Sequence, residues 1–281
     1  MPLPTRRQFL QGTAAGLGSL AATGLYAWQV EPRWVSLTRR SLPIAGCPSA
    51  LEGKTLVQIT DVHVGQVVSD DYVRGVFRDV KRLAPDIVVH TGDWTSYYDD
   101  VLPQAERIYA EMPRGKLATL GVLGNHDYGK RWLNGGNADN IAAIARNSGC
   151  RMLRNELTEV EGLQIVGLDD LWAGMFNPRE VLKALDPRRP MLALTHNPDS
   201  ADFESWSGFS GWILAGHTHG GQVKPPFGAP PVIPVVNKRY TSGAFDLSGG
   251  RDMYICRGVG FTLQVRFNAR PEVTLFTLVR A

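Results

Sequence analysis

Five short apolar runs in this 281-residue chain each stop at an island of glycine, carboxylate, amide or imidazole. Residues 55–60 lead into Asp61-Val62-His63, and 86–90 into Thr91-Gly92-Asp93. Residues 116–123 end at Gly124-Asn125-His126-Asp127, 191–195 at His196-Asn197-Pro198, and 212–215 at Gly216-His217-Thr218-His219-Gly220-Gly221. Apolar runs this short, bounded by turn residues, read as buried strands. Helical spacing lies between them: Val73, Val76, Phe77, Val80 and Leu83 fall on one face of 71–83. Strands alternating with helices build a sheet that binds ligands at the carboxyl ends of its strands. The islands therefore meet at one edge, and five of the six histidines meet there with them.

Further helices are expected over 102–112 and 138–147. Two more are expected after Asn177-Pro178 and Asn197-Pro198, with Asn as cap and Pro in the first turn. Residues 163–168 form a strand ending at Asp169-Asp170, whose carboxylates read as caps or solvated groups. The last third is strand-rich, with 253–256, 262–267 and 273–279 apolar. The pattern alone supports α/β followed by β. Residues 220–250 are rich in Gly and Pro and read as an ordered loop, a wall or lid over the site.

Two residues apart on an extended chain, Asp61 and His63 project to one side, where one cation can be held by both. His217 and His219 repeat that spacing. Asn125 and His126 are adjacent, so one can bind metal while the other faces substrate. Gly92 lets a metal approach Asp93 closely. Imidazoles with hard oxygens, and no thiolates, suit Mn, Fe, Zn or Co. Cys47, Cys150 and Cys256 lack metal-site spacing and read as buried or free thiols. His90 and Arg266 read as packed or structural residues. Trp94 either walls the pocket or packs in the core. Lys224, Arg239 and Tyr240 are candidate contacts to a phosphate or leaving group.

The ordered set Asp-x-His, Gly-Asp, Gly-Asn-His-Asp, His and Gly-His-Thr-His, spanning about residues 55–220, resembles the calcineurin-like metallophosphoesterases. The resemblance implies a four-layer α/β/β/α sandwich of two mixed sheets over residues 54–281. It implies two divalent metal ions: Asp61, His63 and His219 on the first, Asn125, His196 and His217 on the second, with Asp93 bridging. A hydroxide between the metals would attack the phosphate ester. His126, oriented by Asp127, would face substrate and serve the leaving group. Phosphodiester hydrolysis is the leading activity. Phosphomonoester hydrolysis, cleavage of UDP-2,3-diacylglucosamine and a non-catalytic metal-binding scaffold are the alternatives.

Composition locates the protein more than it defines its chemistry. Residues 1–45 hold five arginines against one acid, so the basic surplus sits there and the body offers no surface for nucleic acid. Thr5-Arg6-Arg7-Gln8-Phe9-Leu10-Gln11 precedes an uncharged, Gly- and Ala-rich stretch to Val30. This is similar to a twin-arginine export signal, read as an address by the translocation machinery. Residues 1–30 are then a signal to be cleaved or a retained membrane anchor, and 31–53 a linker with a lead-in strand. Together with Glu31-Pro32-Arg33 and the run Gly216–Gln222, the signal is similar to that of exported bacterial phosphodiesterases. It implies a periplasmic protein or one on the outer face of the cytoplasmic membrane. That location counts against the UDP-lipid substrate, a precursor of the cytoplasmic side.

Overall fold

Alternating side chains along two sets of strands create three apolar layers. The computed structural model describes residues 5–97, 100–206 and 208–281; the first four residues of the expected export segment lie outside them. In chain order the regular elements are α1 (Arg6–Leu25), β1 (Ser36–Ile44), β2 (Thr55–Ile59), α2 (Asp70–Arg82), β3 (Ile87–Thr91) and α3 (Leu102–Tyr109). Then come β4 (Ala118–Val122), α4 (Gly135–Asn147), β5 (Arg151–Met152), β6 (Glu156–Val160), β7 (Leu163–Gly167) and α5 (Arg179–Lys183). The chain finishes with β8 (Met191–Leu194), β9 (Gly211–Ala215), β10 (Gly243–Asp246), β11 (Arg251–Ile255) and β12 (Glu272–Arg280).

Two six-stranded sheets result, ordered β1-β12-β2-β3-β4-β5 and β10-β11-β9-β8-β7-β6. Both are mixed. Strands β2 to β5 run parallel while β12 joins β2 antiparallel. Strands β7, β8, β9 and β11 run parallel between antiparallel edges β6 and β10. Leu56, Ile87, Val89 and Leu120 of the first sheet pack against Ile165, Leu192, Leu194 and Leu214 of the second. Their neighbours Val57, Ile59 and Val88 point the other way, onto α2, α3 and α4. Val166, Ala193 and Ile213 likewise face outward under α5 and the following loops. This is the α/β/β/α sandwich.

Local chemistry fixes the helices. Ser69 accepts from Tyr72 N at the start of α2, with Asp70 and Asp71 in its first turn and Lys81 and Arg82 in its last, matching the helix dipole. Asn134 caps α4, and Asn137 in its first turn donates to Asp127 O at 2.8 Å, tying this helix to an island. Pro43 is tolerated in β1 because that strand is a sheet edge.

Several expectations change. Residues 262–267 are not a strand; Phe267 makes a single bridge to Val223, and the chain folds around Arg266 instead. Strands β5, β6 and β10 form although their sequences carry no strong apolar alternation. Pro178, not Asn177, occupies the cap of α5, without a side-chain bond. After Asn197 there is only a short 3-10 turn, Pro198–Asp202. Helix α1 has no buried residue, and among the described residues no helix is long and apolar enough to cross a membrane.

Truncating the inter-sheet core should be costly. Leu192→Ala is expected to lower unfolding free energy by about 2–5 kcal/mol, whereas Leu133→Ala, at an exposed position, should change it by under about 0.5 kcal/mol. Chemical denaturation of the two variants checks this.

Candidate metal centre

The carboxyl ends of β2, β3 and β4 and those of β8 and β9 open onto the same edge of the sandwich. Buried side chains tie the two sheets together there. Buried Gln58 donates to Thr91 Oγ1 and Ala215 O, each at 2.9 Å. Both oxygens of Asp61 accept from His217 N at 3.1 Å, and Thr60 Oγ1 adds a second donor at 2.8 Å. His196 Nδ1 lies 2.8 Å from Thr91 O, which can only accept, so the proton sits on Nδ1 and Nε2 faces inward.

Two groups of side chains converge, Asp61, His63 and His219 in one and Asp93, His196 and His217 in the other. Within each, the donor atoms lie within 4.8 Å of one another, and all six residues are buried. His63 Nε2 is 3.1 Å from His219 Nε2, and His219 Nε2 is 3.4 Å from Asp61 Oδ1. His217 Nδ1 is 3.1 Å from His196 Nε2. Asp93 Oδ2 touches both groups, 3.1 Å from His196 Nε2 and 3.5 Å from His63 Nε2.

The backbone reaches this geometry under strain. Asp61, His63 and Asp93 hold φ of 52°, 52° and 51°, and His217 and His219 hold 73° and 51°. Such left-handed residues cost about 1–3 kcal/mol each and cluster at functional sites. They also correct the extended-chain reading. Thr218 is right-handed between its two left-handed neighbours, so His217 and His219 turn into different groups of side chains. Two glycines allow the close packing: a Cβ at Gly124 would lie 2.3 Å from Asp93 Oδ1, and one at Gly216 2.5 Å from Asp61 Oδ2.

Electrostatics follow burial. It drives His63 and His217 down to about 3 and His219 well below its ordinary value, leaving neutral rings with lone pairs to offer. Burial pushes Asp61 up to about 6. Burial also opposes charge on His196, but Asp93, Asp61 and Asp170 outweigh it and raise this ring to about 10. Asp93 stays well below the carboxylate range because His196, His126 and His63 offset its burial. Donors remain without partners: Asn125 Oδ1 and Nδ2, His63 Nδ1 and His217 Nε2 are buried and unbonded among the described residues. The neutral rings of His63, His217 and His219, the carboxylates and an orphaned amide are donors that divalent cations require, and a cation at His196 Nε2 would displace the second proton that its neighbouring acids favour.

His126 stands at the rim, half-buried, its ring edge-on to His63 at 4.9 Å. Its backbone N donates to Asp93 Oδ1 at 2.9 Å. Asp127 does not orient this ring. Its carboxylate accepts from Thr95 N at 3.0 Å and Gly124 N at 2.9 Å, bracing the loop, while His126 Nδ1 has no partner. Trp94 is fully buried, stacked on His90 at 3.8 Å between ring centroids, so it packs in the core and walls nothing. Tyr240 is buried against Phe245 and donates to Asp202; Arg239 lies over its ring, bonded to Asp246 O. Neither lines the site, nor does Lys224, whose neighbour Val223 does. Asp169 and Asp170 are buried, not solvated: Asp169 accepts from Tyr128 and Arg154, and Asp170 Oδ2 is unbonded.

A cavity of about 430 Å³ opens on the groups, with Asp93, His126, His217 and His219 at its base and Trp172, Val223, Pro234 and Leu263 on its walls. Trp172 sets its edge on His217 at 4.4 Å between ring centroids. It follows Asp169-Asp170 at a strand end, a signal that could have found it. Arg266 has no such signal. Wholly buried, it sits 3.1 Å from His219 Nδ1 and donates to Ala269 O and Gly260 O at 2.8 and 2.6 Å.

Comparison with known proteins agrees with this geometry. Residues 54–221 match the model of the calcineurin-like phosphoesterase family. The chain is 33% identical to phosphodiesterase YaeI of Escherichia coli, covering 98% of this chain and 99% of that one. It is 31% identical to the uncharacterized metallophosphoesterase YkuE of Bacillus subtilis, over 98% and 97%. It is 25% identical to the UDP-2,3-diacylglucosamine pyrophosphatase LpxG of Chlamydia trachomatis, over 94% and 96%. With its two mixed six-stranded sheets and its paired ligand groups, the chain belongs to the calcineurin-like phosphoesterase family and is a metal-dependent phosphoester hydrolase.

Proposed function

We propose that the protein is a phosphodiesterase with two divalent cations, acting outside the cytoplasmic membrane after twin-arginine export. One observation carries the catalytic part: a single oxygen, Asp93 Oδ2, lies beside both ligand groups, as a carboxylate shared by two cations must. Asp61, His63 and His219 would hold one cation, and Asn125, His196 and His217 the other; Mn, Fe, Zn or Co suits this donor set. Bound there, the cations would supply charge neutralisation for a phosphodiester anion and water made acidic at neutral pH.

The chain's own groups do the rest. Thr91 O keeps the His196 proton on Nδ1, leaving Nε2 to bind. Arg266 braces His219 from behind, with backbone carbonyls filling its other donors. Burial lowers the pKa of His126, so its ring is neutral near pH 7. A neutral imidazole offers one N–H to a phosphoryl or leaving oxygen without repelling the cations. Asp127 shapes the loop that presents it.

Elemental analysis of purified protein, with hydrolysis of a diester, a monoester and a UDP-lipid pyrophosphate compared side by side, tests the whole reading. Faster diester cleavage supports it. Preference for the UDP-lipid would favour the activity in the name of the Chlamydia relative, and bound metal with no ester cleavage would leave a scaffold.

His126→Ala is expected to lower turnover by about 10²–10⁴ with metal content intact. Loss of metal in that variant would assign it to the ligands instead. Asp93→Asn should reduce metal content toward zero at both positions, because it removes the shared charge; loss of one equivalent only would rule out bridging. Arg6→Lys/Arg7→Lys should leave the protein in the cytoplasm on fractionation, and unaltered export would sink the twin-arginine assignment.

A further inference from the structure

The walls of the cavity do not match its base. The base is ionisable, but above it Val223, Val232, Pro234, Leu263 and Val265, with Trp172, outnumber the uncharged polar Thr218, Gln222 and Thr262. Val232 is 75% and Leu263 67% exposed. Large apolar side chains left open beside a polar centre mark a binding surface more than a packing fault. No Lys or Arg lines the cavity among the described residues. A substituent carrying a second phosphate or a carboxylate would find no counter-charge along these walls. Burying its charge there would be unfavourable.

We infer that this cavity is a subsite for an aliphatic ester substituent, so that the substrate is an amphipathic phosphodiester. This rests on the phosphodiesterase reading and narrows it. A phosphate at the base directs its substituents along Val232, Leu263 and Val265. Each methylene buried there adds to affinity, while the phosphate stays with the polar groups. The N-terminal segment leaves the body beside the same wall: Gln264 Nε2, next to Leu263, donates to Trp28 O at 3.1 Å. Trp28 is itself exposed. The cavity mouth and this segment thus share one apolar side of the molecule.

The test uses metal-loaded full-length protein and p-nitrophenyl phosphodiesters bearing methyl, butyl or octyl groups, below their micelle concentrations. Water cleaves the aryl ester bond, releasing p-nitrophenol and the alkyl phosphate. The kcat/KM should rise at least about tenfold from methyl to octyl, the ceiling being about fourfold per fully buried methylene. Leu263→Ser and Val232→Ser should each cut the octyl-to-methyl ratio several-fold. A ratio near one, or one unaltered by both substitutions, overturns the inference while leaving diester hydrolysis in place. Failure on all three esters with metal bound overturns the phosphodiesterase reading and this inference with it. A second arm presents dioleoyl phosphatidylglycerol in vesicles: cleavage there supports a bilayer source, and cleavage of dissolved octyl ester alone supports a soluble one.

Discussion

Everything at the site depends on the bonds that join the carboxyl ends of two separate sheets. Gln58 reaches from β2 to the ends of β3 and β9, Asp61 accepts from the backbone after β9, and the ring of His196 after β8 meets the carbonyl of Thr91. The bonds of Gln58 to Ala215, of Asp61 to His217 and of His196 to Thr91 cross the gap between the sheets, and all are buried. In that setting a misplaced strand would leave polar groups unpaired at about 1–3 kcal/mol apiece. The same bonds that fix the sandwich therefore fix the ligands. Asp61 is both the tie and a ligand candidate, so register and metal geometry cannot vary independently.

This arrangement has an electrostatic consequence. Asp61, Asp93, Asp127 and Asp170 are all buried within one region, where the fully buried cations among the described residues are Arg266 and the His196 ring, which against its burial Asp93, Asp61 and Asp170 raise to about 10. Burial pushes Asp127 up to about 8 and Asp170 up to about 7, so both carboxyls tend to keep their protons near neutral pH. Divalent cations at the two ligand groups would meet the carboxylates of Asp61 and Asp93, and their binding would then stabilise the fold as well as the site. The left-handed backbone at five of the ligand candidates fits that view: strain at the strand ends is tolerable where strong bonds to an ion can offset it.

The chemistry was legible in the sequence because it sits where regular structure ends. A buried strand announces itself by apolar composition, and the residue after it lands at the sheet edge whatever its identity. That rule places Asp61, Asp93, Asn125, His196 and His217 together from the sequence alone. Dihedral angles were not legible. The pattern His-x-His suggested one shared cation, and only the alternation of left- and right-handed residues through Thr218 sends the two rings apart. Second neighbours were also hidden. Asp127 follows His126 in sequence yet turns to Gly124 and Thr95, because two backbone donors lie within reach and satisfy it. Trp94 is adjacent to Asp93 but points into the core, since its indole N–H finds Val122 O there.

What lies above the metal groups follows another logic. Val223, Val232 and Leu263 come from irregular chain, with no periodicity to mark which side chains face the cavity. Arg266 organises this region from inside, gathering carbonyls of residues 257–269 around one guanidinium while bracing His219. Its backbone N also donates to Ala27 O, and Ala269 N donates to the buried carboxylate of Glu31. The N-terminal segment is thereby bonded to the loop that walls the cavity. Changes in that loop can retune the substituent that fits without touching the strand ends. A shared metal site with divergent substrates is the expected outcome of such a division, since function lives in sites carried by the fold.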